Sequence, residues 1–269
     1  MKDLIRSLFR SFGFEIRKSV AKPNGELYPY VEEFKLDEIN FKYWVTDEVY
    51  KSWYNPEGHA NWHETQEYFK LIKKDEKVLE VGCNNGFTMS LLKGITGKDT
   101  LFVGMDIVSF NCQIACSQIG LNGFTNCHIL NIGGSDTSEQ VEIAITHNGR
   151  VVNSNIGYDT TKVDTMKCDD LIPQFDYFDV LKIDVEGFEA KVLKGCKELL
   201  SKQPKLIIEI HGMDLQKFDT NYEEIFDLIQ IDKYRGTMCL RGSSEAKEID
   251  VDFLRKEAPH ATLFLEPLK

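Results

Sequence analysis

Three short segments of this 269-residue chain carry residue types whose spacing suits chemistry. The first is Glu80-Val81-Gly82-Cys83-Asn84-Asn85-Gly86, which follows an apolar run from Lys77 to Val81 and precedes a helical stretch from Phe87 to Lys93. The glycines let the main chain turn tightly and let a ligand approach it, and the next helix presents its N-terminal amides there. The E-x-G-x-x-x-G spacing differs from the G-x-G-x-x-G of dinucleotide sites. An acid at position 80 suits an amino group, as on a methionine-like moiety, better than a pyrophosphate. Asp106 ends the following apolar run, Leu101 to Met105, where a carboxylate can accept both hydroxyls of a ribose. Glu80, Gly82, Cys83, Asn84, Gly86, Phe87 and Asp106, with Asn131 after the run Cys127 to Leu130, are therefore the candidate ligand contacts. Cys83 has the helix-N-terminal setting of a reactive thiol, but a small residue filling a tight loop is the better reading.

The second segment is Lys182-Ile183-Asp184-Val185-Glu186-Gly187-Phe188-Glu189. In a strand, 182, 184 and 186 share one face. Three charges there are costly when buried without partners, and make sense where a strand opens into a crevice. Glu189 fits the acid preference of a helix N-terminus. The third segment, Leu206 to Gly212, places Glu209 and His211 on one face at the end of an apolar strand.

The elements that must position these residues follow from periodicity. A helix is expected from Asn61 to about Lys73, then strands and helices alternate through Cys127–Leu130, which argues for a parallel sheet with helices on both faces. Residues 138–160, with the turn signal His147-Asn148-Gly149-Arg150, read as an inserted β-hairpin at the edge of the fold. The alternation resumes with a strand at 178–184, a helix over 187–201, a strand over 206–211, a helix from Asn221 to about Ile231, and closing strands at 238–240 and 262–265. Residues 26–60 show no clean period and read as an irregular segment lying on the main domain, giving an extension over 1–60 and a main domain over 61–269.

The net charge is −11, with 43 Asp and Glu against 32 Lys and Arg. A protein that neutralises many phosphates needs a basic surface, so nucleic acid is not the expected partner. The seven cysteines include no C-x-x-C pair and the N-terminus has no apolar export core, so a reducing, cytoplasmic setting is expected. No apolar run is long enough to span a bilayer. The first 22 residues are locally basic, and Ile5, Leu8, Phe9 and Phe12 fall on one helical face. That face is expected to pack on the main domain or a second subunit of a homo-oligomer; weak peripheral attachment to anionic membrane is the alternative.

Residues 78–209 resemble the FkbM family of S-adenosylmethionine-dependent O-methyltransferases. The shared landmarks are V-L-E-V-G-C-N-N-G at 78–86, Asp106, V-D-T-M-K-C-D-D-L at 163–171, L-K-I-D-V-E-G-F-E at 181–189, V-L-K-G at 192–195 and P-K-L-I-I-E at 204–209. The chain departs from the family pattern at Asp106-Ile107, where a Glu-Pro pair is common, and at Lys167-Cys168-Asp169, where Leu-Asp is common; both keep the carboxylate. The resemblance implies an α/β class I methyltransferase fold, a Rossmann-like seven-stranded, mostly parallel sheet with one antiparallel strand. It also implies S-adenosyl-L-methionine as cofactor and a sugar, glycan or other small-molecule hydroxyl as acceptor, chosen by residues 1–60 and 213–269.

In such a sheet Gly82, Asp184 and His211 end side by side. Methyl transfer is an in-line displacement, and holding the acceptor oxygen opposite the sulfur supplies much of the rate. His211 as general base, Asp184 positioning the substrate and Glu209 beside them are the expected catalytic residues. The alternative is a divalent cation such as Mg²⁺ held by Asp184, Glu186 or Glu209. A nicotinamide-dependent oxidoreductase and a non-catalytic scaffold of the same fold are the competing classes.

Overall fold

The computed structural model describes residues 28–36, 38–54, 63–152 and 159–268. The basic helix expected over the first 22 residues lies outside these, as do Asn61 and Trp62. In chain order the principal elements are β1 (Tyr30–Leu36), β2 (Ile39–Val45), α1 (Glu48–Trp53), α2 (His63–Leu71), β3 (Val78–Val81), α3 (Phe87–Thr96), β4 (Phe102–Met105), α4 (Ser109–Asn122), β5 (Cys127–Leu130), β6 (Gly133–Gly134), β7 (Gln140–Ala144), β8 (Arg150–Val151), β9 (Thr160–Met166), β10 (Val180–Ile183), α5 (Glu189–Lys194), α6 (Lys197–Ser201), β11 (Lys205–His211), α7 (Tyr222–Ile229), β12 (Tyr234–Leu240), β13 (Ala246–Glu248), α8 (Val251–Glu257) and β14 (His260–Pro267).

Strands β3, β4 and β10 are buried at every residue, as a parallel sheet covered on both faces requires. The main sheet runs β13-β12-β14-β11-β10-β3-β4-β5. Its centre is parallel, with Lys182 of β10 level with Glu80 of β3 on one side and Ile207 of β11 on the other. β14 lies antiparallel to both β11 and β12. These are the seven expected strands, and β13 adds a short eighth at the edge. One face packs Leu79, Val81, Leu181, Ile183 and Ile208 against α5 and α7. The other packs Val78, Phe102, Val180 and Ile207 against α2, α3 and the β1–β2 hairpin.

That hairpin corrects the irregular reading of residues 26–60. Phe34, Leu36, Phe41, Tyr43 and Val45 alternate inward and are buried, and Phe34, Phe41 and Tyr43 each contact the Phe87 ring. Val31 and Trp44 point outward although apolar, which blurs the period-two signal. The hairpin lies so close to α3 that a Cβ on Gly94 would meet Ile39 at 2.3 Å.

The helix expected over 187–201 is divided into α5 and α6 at Gly195 and Cys196. A Cβ at Gly195 would stand 2.0 Å from the Ser135 carbonyl, so the chain breaks where two backbones touch. The inserted hairpin forms as expected, with Ile143 opposite Val151, and β9 joins it in a separate four-stranded sheet, β6-β9-β7-β8. Its turn folds back on the β4–α4 connection: a Cβ on Gly149 would meet Val108 at 2.5 Å.

Candidate active site

The carboxyl ends of β3, β4, β10 and β11 open into a cavity of about 540 Å³. Gly82, Cys83 and Asn84 line one end with Asp106, and Asp184, Glu209 and His211 line the other. The sequence-predicted residues of all three segments are thus brought to one crevice, as expected at the strand ends of an open α/β sheet. Glu80, Gly86, Phe87 and Asn131 do not line it.

The glycine loop is shaped by backbone contacts. Gly82 and Cys83 both donate to the Met105 carbonyl, at 2.8 and 3.0 Å. Gly82, Asn84 and Gly86 adopt positive φ values of 88°, 46° and 82°. The Asp106 carboxylate accepts from the Asn84 amide at 2.9 Å and the Val108 amide at 2.8 Å, tying the loop to the β4–α4 connection. Burial pushes Asp106 up to about 6 despite these hydrogen bonds. Its Oδ1 also accepts from the Asn111 side-chain amide at 3.5 Å, which leaves Oδ2 with a lone pair for a ligand hydroxyl. Asn85 anchors the loop from below, its side chain donating to Tyr43 Oη at 2.6 Å. Cys83 is buried, and burial with Asp106 and Glu80 nearby raises its thiol well above the usual value. Its Sγ packs against Gly104, so it is a space-filling thiol and not a thiolate nucleophile.

In the cavity floor, Lys182 Nζ lies 3.1 Å from Glu80 and 3.6 Å from Asp184. Burial works against the ammonium, but Glu80, Tyr68, Asp184 and Glu209 outweigh it and hold Lys182 charged. Glu80 is completely buried, and neither of its oxygens has a well-aligned hydrogen bond; the close charge contact with Lys182 is what sustains it. Glu80 therefore supports the floor and does not face the cavity. Asn131 is also structural in its contacts, donating to the Asp106 carbonyl at 2.9 Å and accepting from Ser109 at 2.5 Å.

On the opposite side, His211 Nδ1 donates to Glu189 at 2.8 Å, and Glu189 is completely buried at the start of α5. Glu189 is thus more than a helix-start acid. His211 Nε2 faces Glu186 at 3.6 Å and Glu209 at 3.9 Å. Burial alone would lower the imidazole, but Glu189, Asp184 and Glu209 raise it to about 9. His211 is therefore an imidazolium at neutral pH, a hydrogen-bond donor before it is a base. Burial and the neighbouring Glu209 raise Asp184. Glu209, although also desolvated, is drawn down to about 2 by the hydrogen bond from His260 and the charge of His211.

Several cavity residues had no motif to announce them. Trp53 and Tyr54 arrive from the end of α1, Glu64 from α2, and Asn148 from the hairpin turn, where it donates to Glu186 at 2.5 Å. Thr262 and His260 come from β14, the latter by register, directly opposite His211. Glu64 accepts from Thr262 at 3.0 Å and is raised to about 7 by burial and Glu209. The expected donor trio Asp184, Glu186 and Glu209 is not the one assembled: Lys182 stands beside Asp184 and Asn148 is bonded to Glu186. Among the described residues, the donors within 4.8 Å of one another are those of Glu209, His211 and His260.

A sequence profile of the methyltransferase FkbM domain matches residues 58–236, more than half of the chain. The chain belongs to the FkbM methyltransferase family. No curated protein matches it significantly. Among solved structures, the FkbM methyltransferase from Methylobacillus flagellatus is 18% identical, with 73% of this chain and 45% of that one covered and a TM-score of 0.47. This FkbM chain thus spans about half the length of that protein. Fibrillarin from Aeropyrum pernix, solved with S-adenosyl-L-methionine, is 10% identical over 91% and 92% of the two chains, with a TM-score of 0.46. A methyltransferase from Streptococcus mutans, described as putative in its structure and solved with SAH, is 10% identical over 76% and 96%, with a TM-score of 0.44. Within the FkbM match lie the glycine loop, Asp106, Asp184, Glu189, Glu209 and His211; His260 and Thr262 lie beyond it. Among the described residues, no helix is long and apolar enough to cross a membrane.

Proposed function

We propose that the protein transfers a methyl group from S-adenosyl-L-methionine to a hydroxyl of a sugar, glycan or other small molecule. The observation that carries this reading is the single cavity that joins the Gly82–Asp106 end to the Asp184–Glu209–His211 end. The residues fit the cofactor. Asp106 Oδ2 has a lone pair left for a ribose hydroxyl after accepting from Asn84, while Oδ1 is taken by Val108 and Asn111. The carboxylates of Glu186 and Glu209 line the cavity and suit a cationic ligand. When bound, the cofactor supplies an electrophilic methyl on a sulfonium.

The chain's own part is alignment and proton handling. Gly82 to Asn84 and Asp106 hold one partner, and Trp53, Tyr54, His260 and Thr262 bound the acceptor's space. A hydroxyl is a poor nucleophile until its proton leaves. That proton leaves into the cluster of Asp184, Glu209 and His211, with His211 able to accept it only once its own is lost.

Calorimetry with S-adenosylhomocysteine and with NAD, followed by labelled S-adenosylmethionine and a panel of sugar acceptors, tests the reading. Binding of S-adenosylhomocysteine and label transfer that survives acid but not O-demethylation support it. Binding of NAD alone would sink it.

A further inference from the structure

We propose that Glu209, His211 and His260 form a binding site for a first-row transition-metal ion such as Zn²⁺, Mn²⁺ or Co²⁺ on the acceptor side of the cavity. The topology creates the trio. β11 and β14 are antiparallel in a register that sets His211 directly opposite His260, with Glu209 two residues earlier on the same face. The two imidazole rings lie 4.3 Å apart at 54°, and one donor atom from each of the three residues falls within 4.8 Å of the others. Two imidazoles and a carboxylate are a donor set for transition ions more than for Mg²⁺, which prefers oxygen ligands and water.

The support around the trio fits a metal centre. Glu189 is completely buried, accepts from His211 Nδ1 at 2.8 Å and is itself held by the Gly187 amide at 2.9 Å. That arrangement fixes the ring and turns Nε2 toward Glu186 and Glu209, with the carboxylate–histidine support found behind metal-ligating imidazoles. An ion held at about 2.0–2.2 Å from each donor needs donors roughly 3–3.5 Å apart. The His260–Glu209 pair stands at 2.6 Å and the His211–Glu209 pair at 3.9 Å, so one opens and the other closes by well under the length of a bond. Glu64, Asp184 and Glu186 line the same cavity.

Arg241 opposes the ion. Its Nη1 lies 3.1 Å from His260 Nδ1, and a guanidinium only donates, so it keeps the His260 proton on Nε2, facing Glu209. An ion displaces that proton to Nδ1, and exposed Arg241 turns away; the Nε2 proton of the His211 imidazolium is released to solvent as the ion binds. The consequence for catalysis rests on the methyl-transfer reading: the ion would take up the acceptor hydroxyl and make it acidic, in place of proton removal by His211. Binding of the ion itself does not rest on it.

The test is titration of EDTA-treated, full-length protein with Co²⁺, followed by visible absorption, and with Zn²⁺, followed by calorimetry. One saturable ion per chain is expected, with a d–d spectrum showing nitrogen ligation. His260→Ala and Glu209→Gln should weaken binding at least about tenfold, and Glu189→Gln about 10–100-fold, as for other supports of a metal-bound imidazole. Arg241→Ala should tighten it. That variant is at the surface and tests the site without a core change. No saturable Co²⁺ binding by the wild type, or affinity unchanged in both His260→Ala and Arg241→Ala, overturns the proposal. Metal binding without any S-adenosylhomocysteine binding would leave this site standing and remove the methyl-transfer reading. Full turnover in EDTA with no Co²⁺ binding would do the reverse.

Discussion

Gly82 and Asp184 meet backbone to backbone: a Cβ at position 82 would stand 1.8 Å from the Asp184 carbonyl oxygen. The ends of β3 and β10 therefore touch at the point where the cavity's two halves join. Sequence reasoning assigned the glycine to ligand clearance; the neighbour that excludes a side chain is the protein's own main chain. The glycine loop and the Asp184 carboxylate are placed by one contact, and the Asp184 amide reinforces it by donating to the Val81 carbonyl at 2.9 Å.

Gly82→Ala should consequently damage both halves at once. The methyl clashes with backbone that has no room to move, at a φ of 88° that L residues avoid. A loss of roughly 2–4 kcal/mol in unfolding free energy is expected, with loss of S-adenosylhomocysteine binding by calorimetry. A variant that melts like the wild type and binds normally would show that the loop relaxes and that the contact does not set the site.

How much was legible follows from the same residues. The loop 80–86, Asp106 and the charged run at the end of β10 were readable because glycine spacing and charge beside an apolar strand are local signals, although β10 ends at Ile183 and Asp184 and Glu186 lie in the turn after it. His260 was not: it becomes a neighbour of His211 only through the register of two strands, across 49 residues of sequence. Glu189 was read as a helix-start acid because its partner is likewise non-local. The β1–β2 hairpin escaped because the outward Val31 and Trp44 are apolar too. Trp53 and Tyr54 entered the cavity with it, through the helix that follows.

Lys182 and Glu80 offer a test of the floor. Lys182→Met strands a completely buried Glu80 without its counter-charge and should cost about 3–5 kcal/mol. Adding Glu80→Leu removes the orphaned charge and should restore much of that loss. Denaturant unfolding of the single and double variants measures the coupling. Equal additive losses would mean that the pair does not stabilise as a unit.

Asp106 gives the cofactor end a pH dependence. Its carboxyl is raised from 3.8 to about 6 by burial. A raised acid contributes most to stability below its unfolded value, and that contribution is lost as pH rises through about 6. Ligand binding runs the opposite way, because ribose hydroxyls need an ionised acceptor. S-adenosylhomocysteine affinity should rise with pH and level off above about 6, being roughly tenfold weaker one unit below that value. In Asp106→Asn the profile should be flat and uniformly weak. A wild-type affinity that does not change between about pH 5 and 7.5 would place the ribose elsewhere.

Asp184 and His211 divide binding from turnover. Both line the cavity, while the glycine loop proposed to receive the cofactor is held by Met105, Asp106 and Tyr43. Asp184→Asn and His211→Ala should therefore leave S-adenosylhomocysteine affinity within a few-fold of wild type. Methyl transfer should fall by at least about 100-fold, the scale of a lost proton acceptor or orienting group. The asparagine keeps the shape of Asp184 and its backbone contact with Gly82, so a fall in transfer there isolates the charge. His211→Ala in addition leaves the buried Glu189 with the Gly187 amide but without its imidazole partner, and a drop in melting temperature should accompany it. The pair is read by measuring transfer and affinity on the same preparations, with thermal unfolding as the control. Full transfer in both variants would move the chemistry away from this cluster, whereas loss of affinity in Asp184→Asn would make that carboxylate a cofactor ligand.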